Sequence, residues 1–477
     1  MTLLAGLDVG TSSVKGLLVR AGDGAVVARA EVEHPLSMPH PGWAEQEPAD
    51  WWAGARAVLD ALGAEAEIAS IGLTGQMHGL VALDAGDRVL RPAILWNDGR
   101  TGAQCAEIER RVGLRALIAQ TGNRALPGFT APKLRWLARH EPDVHARIAR
   151  VLLPKDYVRL RLCGEHATDV ADASGTLLFD VARRRWSDPV LDALDVDPAW
   201  LPPALESPAP SGAAVDGTPV AAGAGDQAAG ALGVGVDRPG PASVVLGTSG
   251  VVFAASDAFA ADPAARVHVF CHAVPGAWHS MGVMLSAAGS LRWLRDAVAP
   301  GAGFAALVGE AERWEPGVEG LTFLPYLAGE RTPHADPDAR GAFTGLSLRH
   351  DRGALVRAVL EGVAFGLRDG LDLVSGLSTP PSLGRVSGGG ARSRLWLQIL
   401  ASVLELPLQR TAVDEGASFG AALLGGVAAG AFADVHEAVA ACVRPGEIVE
   451  PVAAWVEPYR AARERFVALY PALRGVG

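Results

Sequence analysis

Lysine is nearly missing from this chain: of 42 basic residues only Lys15, Lys133 and Lys155 are lysines. None of them closes a glycine-rich run of the Gly-Lys-Ser/Thr kind, which excludes a P-loop nucleotide site. Cysteine is scarce too. The four present, Cys105, Cys163, Cys271 and Cys442, have no paired spacing, so neither a disulfide framework nor a zinc site is expected, and a reducing cytoplasm fits. Long apolar runs are also lacking. Although 49% of the residues are hydrophobic, the most apolar windows, 218–236 and 242–261, are broken by Asp226 and Gln227 or by a Gly-Thr-Ser turn. No membrane span or secretory signal is expected. Nor is there an excess of positive charge: a net charge of −11 argues against nucleic-acid or anionic-membrane partners, which need clustered cations.

What is present is a repeat. At 477 residues the chain is longer than one hydrophobic core supports, and two similar stretches lie half a chain apart. Leu7-Asp8-Val9-Gly10-Thr11-Ser12-Ser13-Val14-Lys15 and Val245-Leu246-Gly247-Thr248-Ser249-Gly250-Val251 each read as strand, tight Gly-Thr-Ser turn and strand. Such turns gather backbone N–H groups and hydroxyls at one point, an arrangement that grips phosphate. The copies differ informatively, because Asp8 stands where the second has Val245. Only the first hairpin can address a metal-bound phosphate with a carboxylate.

Two domains are therefore expected, 1–237 and 238–477, joined through the Pro- and Gly-rich segment 236–241. The first opens as a three-stranded meander over 3–9, 14–20 and 25–33, followed by a helix near 49–62 and short strands at 68–74 and 80–83. The second restarts with its own strand, turn and strand. It then carries a long helix over 354–374, with Leu355, Val359, Val363 and Leu367 on one stripe, and a helical tail from about 451.

Asp226 lies between a glycine loop and a small-residue helical run. An aspartate there ordinarily caps its own helix. Its small neighbours also leave room for a substrate hydroxyl, and phosphoryl transfer needs an acceptor aimed at that hydroxyl's proton. Gly388-Gly389-Gly390, between a strand and the run 395–400, permits close backbone approach to a phosphate or a flat ring. Gln76-Met77-His78-Gly79 and Trp96-Asn97-Asp98-Gly99-Arg100 each follow an apolar strand. They read as a wall of hydrogen-bonding groups for a polyhydroxylated ligand, although a core histidine and a plain turn would look the same.

These residues sit in a chain that resembles the FGGY family of carbohydrate kinases from end to end. Gly128-Phe129-Thr130-Ala131-Pro132-Lys133-Leu134-Arg135-Trp136-Leu137-Ala138-Arg139-His140 matches the family's first signature. Its second runs from Gly341-Ala342-Phe343-Thr344-Gly345-Leu346 through Leu355 to Ala358-Val359-Leu360-Glu361, with Ala354 where a polar residue is usual. Gln76 to Gly79, Ile94 to Arg100, Leu153-Pro154-Lys155-Asp156-Tyr157, and Phe323 to His334 are similar to the branch that phosphorylates D-xylulose and set the chain apart from glycerol-phosphorylating relatives.

The resemblance implies an α/β, two-lobed fold of the actin, hexokinase and Hsp70 kind (ribonuclease H-like), with duplicated domains and an interlobe cleft holding ATP, Mg2+ and sugar. It implies phosphorylation of the C5 hydroxyl of D-xylulose, with Asp226 as proton acceptor and Asp8 as the acid near magnesium. ATP would meet Thr11, Ser12, Lys15, Gly247, Thr248, Gly389, Gly390 and Ser393, and the sugar would meet Gln76, Met77, His78, Trp96, Asp98, Asp226 and Gln227. Gln227 stands where some relatives carry asparagine. The alternative substrates are another ketose, a polyol or a sugar acid such as gluconate, and a non-sugar nucleotide switch of the same fold is the more distant reading. Relatives suggest a homodimer.

Overall fold

Two seven-stranded sheets carry the molecule. In the computed structural model, which describes residues 2–412 and 416–475, the first sheet begins with the expected meander: β1 (Leu3–Val9), β2 (Ser13–Arg20) and β3 (Val26–Glu33). β1 is almost wholly buried, whereas β3, at the sheet edge, alternates half-buried and exposed residues. Helix α1 (Pro48–Glu65) starts on a proline whose fixed φ suits a first helical turn. It buries Trp51, Ala55, Val58 and Leu62 at helical spacing against the meander. The chain then enters β4 (Ser70–Gly75), parallel to β1. Beyond a helical region that includes α2 (Thr130–His140), the sheet is completed by β5 (Pro210–Ala213), β6 (Pro219–Ala221) and β7 (Ala224–Gly225), which feeds α3 (Asp226–Gly233).

The second sheet repeats the plan. β8 (Pro241–Leu246), β9 (Gly250–Ser256), β10 (His268–Cys271) and β11 (Trp278–Met284) are followed by helices α4 (Ala288–Val298) and α5 (Arg352–Ser375). β12 (Leu383–Ser387), α6 (Arg394–Leu404), β13 (Leu408–Thr411) and α7 (Gly416–Ala428) come next. In both halves the first strand pairs antiparallel with the second and parallel with the strand that follows the helices. The sequence repeat is a repeat of topology.

α7 crosses over. It follows the second sheet in sequence but packs on β1, β4 and α3 of the first. Glycine makes this possible: a Cβ added at Gly6 or Gly72 would lie 1.9 or 1.7 Å from the carbonyl oxygens of Ser418 and Ala421. At Gly233 and Gly420 it would lie 2.0 and 1.9 Å from those of Gly416 and Ala229. The segment 236–241 is fastened rather than loose. His272 Nε2 lies 3.0 Å from Val236 O, and buried Asp237 pairs with Arg238 at 2.9 Å and His436 at 2.5 Å.

Candidate active site

Where the two halves meet they line a cavity of about 110 Å3. Met77, His78, Trp96, Phe129, Asp226 and Gln227 come from the first half, and Ser249, His268, Met281 and Arg331 from the second. Asp226 is the first residue of α3, yet it does not cap it: Gly225 holds the cap position and no side chain closes it. The carboxylate instead faces the cavity, with Gln227 Nε2 3.4 Å from its Oδ1. Burial, and then the charge of Asp8, push its pKa up to about 7.

Asp8 sits near the end of β1, in register with Lys15 on β2 and Thr74 on β4. Burial pushes it to about 6, against the charge of Lys15. Its Oδ1 is buried with no hydrogen-bond partner among the described residues. Two carboxyls with raised pKa, the charge of one acting on the other, form the kind of pair that acid–base chemistry uses.

The first hairpin is braced from behind. Gln46 Nε2 donates to Thr11 O at 2.6 Å, and Gln76 Nε2 donates to Gln46 Oε1 at 2.9 Å and Gly10 O at 3.3 Å. Trp51 Nε1 donates to Gln46 Oε1 at 3.0 Å, and Trp96 Nε1 to Thr11 Oγ1 at 2.9 Å. Gln76 is thus buried and spent on the turn, not on the cavity wall. Asp98 is likewise engaged elsewhere: its carboxylate accepts from Ala44 N at 2.6 Å and from Arg100 Nε and Nη2 at 2.9 and 2.6 Å. Lys15 lies half exposed, 3.7 Å from Glu31. Ser12 stands exposed on the turn.

The second hairpin rests on the start of α4. Ala287 N and Gly289 N donate to Thr248 O at 2.8 and 3.1 Å, and Ala288 N donates to Gly247 O at 2.8 Å. Thr248 itself is exposed. The glycine turn lies directly on the end of β8: Gly388 has φ +90°, and a Cβ on Gly390 would come 2.5 Å from Leu246 Cγ. Gly389 has open space beside it. The Ser393 hydroxyl accepts from Trp396 N at 3.2 Å and caps α6.

His78 adopts a left-handed backbone, φ 69°, a strain that persists only where the surroundings fix it. Lys133 of α2 supplies that: its Nζ donates to the carbonyls of His78 and Gly128, each at 2.7 Å, while Thr130 Oγ1 reaches His78 O at 3.1 Å. Burial holds the Lys133 pKa well below the usual lysine range. Lys155 lies with Asp156, Asp169 and Asp172 at 2.5, 2.8 and 3.4 Å in a fully buried ionic cluster. Sequence reasoning gave no role to Gln46, His268 or Arg331. Arg331 at least lay inside a block of family likeness, whereas Gln46 carried no signal.

A two-lobed α/β fold with paired turns and an acid-lined cleft defines a class of phosphotransferase, and comparison with known proteins agrees. Residues 3–233 match the N-terminal domain of the FGGY family of carbohydrate kinases, and residues 242–429 match its C-terminal domain. The chain is 46% identical over 437 residues to the xylulose kinase of Escherichia coli K12, covering 89% of this chain and 90% of that one. It is 45% identical over 436 residues to the xylulose kinase of Klebsiella pneumoniae, covering 89% of each. The crystal structure of xylulose kinase from Rhodospirillum rubrum matches with a TM-score of 0.92 at 38% identity over 99% of both chains. This chain belongs to the FGGY family of carbohydrate kinases, and its fold is the duplicated two-lobed one expected from its sequence.

Proposed function

We propose that this protein transfers the terminal phosphoryl group of ATP to the C5 hydroxyl of D-xylulose, giving D-xylulose 5-phosphate and ADP. The observation that carries the reading is Asp226: a carboxylate at a helix start, not used as a cap, facing a cavity built by both halves. The xylulose kinases that match over nine-tenths of their length support the sugar. In the reaction Asp226 accepts the C5 proton as the new C5–O–P bond forms and the bond to the leaving ADP oxygen breaks. Its pKa of about 7 leaves a useful fraction ionised at neutral pH, where a general base works best. Thr11, Ser12 and Thr248 are the candidates for the terminal phosphates, and Gly389 is the open glycine of the nucleotide side.

Asp8 suits a hydrated magnesium ion, because its buried Oδ1 is left without a partner. Among the described residues no group of three or more His, Cys, Asp or Glu could hold a metal unaided, so water and phosphate oxygens would complete the shell. When bound, the ion supplies charge neutralisation at those oxygens. In this reading residues 1–237 bring sugar and base, and 238–477 bring the second hairpin. A cytoplasmic location accords with four unpaired cysteines and with no helix among the described residues long and apolar enough to cross a membrane.

A coupled assay over a panel of ketoses, alditols and sugar acids tests the substrate, with D-xylulose expected to give the highest kcat/KM. Asp226→Ala is expected to lower kcat by about 10²- to 10⁴-fold with little change in sugar affinity. Near-normal turnover would overturn the base assignment.

A further inference from the structure

The polar atoms of the cavity sort by hydrogen-bonding sense. His78 Nδ1 lies 2.6 Å from Gly175 O; a carbonyl only accepts, so the proton is on Nδ1 and Nε2 is left as an acceptor. His268 Nδ1 lies 2.8 Å from Asn123 Oδ1. Asn123 Nδ2 donates to the carbonyls of Thr121 and Val269 at 2.8 and 2.9 Å, which fixes the amide and again puts the ring proton on Nδ1. Both rings are held neutral: burial, and then the charge of Arg331, bring His268 down to about 3, and His78 also lies well below the ordinary value, chiefly by burial. With ionised Asp226, the cavity therefore offers three acceptors beside the amide oxygen of Gln227.

Donors are few. The Trp96 Nε1 proton is taken by Thr11 Oγ1, Gln227 Nε2 turns one of its two N–H groups to Asp226, and the Ser249 hydroxyl can act in either sense. Arg331 supplies five N–H donors and no acceptor. Its guanidinium makes no hydrogen bond or ion pair with the described residues. The adjacent Glu330 makes no ion pair with it: Glu330 Oε1 accepts from Leu285 N at 3.0 Å and Arg331 N at 2.7 Å, its Oε2 is buried without a partner among the described residues, and burial pushes that carboxyl to about 8. A largely buried cation without a partner is costly. It is kept for something that enters the cavity.

Of a pentulose's oxygens, hydroxyls can donate to the three acceptors, while the ketone oxygen can only accept. We infer that Arg331 determines specificity at the carbonyl end of the sugar, donating to the C2 ketone oxygen from the second half while Asp226, from the first, takes the C5 hydroxyl. The inference rests on the sugar-kinase reading. It makes the preference for a ketose over its alditol depend on one residue, because the ketone oxygen needs only the guanidinium's N–H, whereas a C2 hydroxyl in its place must also direct its own proton to an acceptor.

The test is steady-state kinetics of wild type, Arg331→Met and Arg331→Lys with D-xylulose, xylitol and D-arabinitol, and titration calorimetry of D-xylulose without nucleotide. Arg331→Met is expected to raise KM and Kd for D-xylulose about 10- to 100-fold, leave KM for ATP within about 2-fold, and bring the ketose-to-alditol ratio of kcat/KM close to one. Arg331→Lys, which keeps a charge but loses the fork, is expected to fall between and serves alone should the Met variant not fold. A variant that keeps the wild-type ratio and KM overturns the inference, as does an equal loss for ketose and alditol. A wild type that phosphorylates no pentulose would instead sink the underlying reading.

Discussion

Replacing Asp226 with asparagine is expected to stabilise the protein while nearly abolishing its activity, and the gain should depend on pH in a defined way. The Asp226 carboxyl is pushed from its ordinary 3.8 to about 7 by burial and by Asp8. At ~1.4 kcal/mol per unit, keeping it ionised costs the folded state at most about 4 kcal/mol. Water in the open cavity screens part of this, so an increment of about 2 kcal/mol is expected. Because the folded-state pKa lies above the unfolded one, the stability associated with protonated Asp226 is fully present below pH 3.8, is lost as pH rises towards 7, and changes no further above that. Asparagine keeps the shape and removes the ionisation. Asp226→Asn and wild type should therefore unfold alike near pH 4 and diverge with rising pH, the variant being the more stable by about 2 kcal/mol at pH 8. Urea unfolding followed by tryptophan fluorescence at half-unit pH steps reads this directly. A gap that does not vary with pH, or a less stable variant at pH 8, refutes the reasoning. In the same picture kcat/KM of the wild type begins to fall below about pH 7 as Asp226 protonates, and falls more steeply below about pH 6, where Asp8 protonates too.

Lys133→Met removes the donor to Gly128 O and one of two donors to His78 O. Loss of the brace on strained His78 should raise KM for the sugar about 10-fold, ~1.4 kcal/mol, with KM for ATP unchanged, and Lys133→Arg should not rescue it because the planar fork does not replace a compact ammonium between two carbonyls. Gln46→Leu should show the opposite split, since it frees the Thr11 carbonyl and leaves Gln76 and Trp51 without their shared partner: KM for ATP rises about 10-fold while sugar affinity holds. Equal effects on both substrates would mean that neither residue acts through the element it touches.

Where information is local, the sequence was a good guide. β1 falls on the expected residues, α1 and α5 lie within a few residues of their periodic stripes, and the Gly-Thr-Ser turns close the expected hairpins. Asp226 stood out as a candidate because a carboxylate among small residues is chemically conspicuous, and it lines the cavity. Gln76 and Asp98 show the limit. Their neighbours Met77, His78 and Trp96 line the cavity, but these two turn to the backbone and to Arg100. Adjacent residues alternate direction, and a tetrapeptide does not say which face is which. His268 and Arg331 reach the cavity only through contact between halves, a long-range event without a periodic trace. The seat of α7 on the first sheet depended on glycines that individually look like ordinary turn or strand interruptions.

The borrowed position of α7 bears on how such a chain can be made. A ribosome that has released only the first half has delivered a sheet whose glycine-lined face, at Gly6 and Gly72, still awaits a cover that comes from residues 416–428. Duplication has thus left the two halves interdependent: the earlier one is roofed only when the later one is nearly finished, and cutting the gene between the repeats would yield a bare platform and a helix with nowhere to lie.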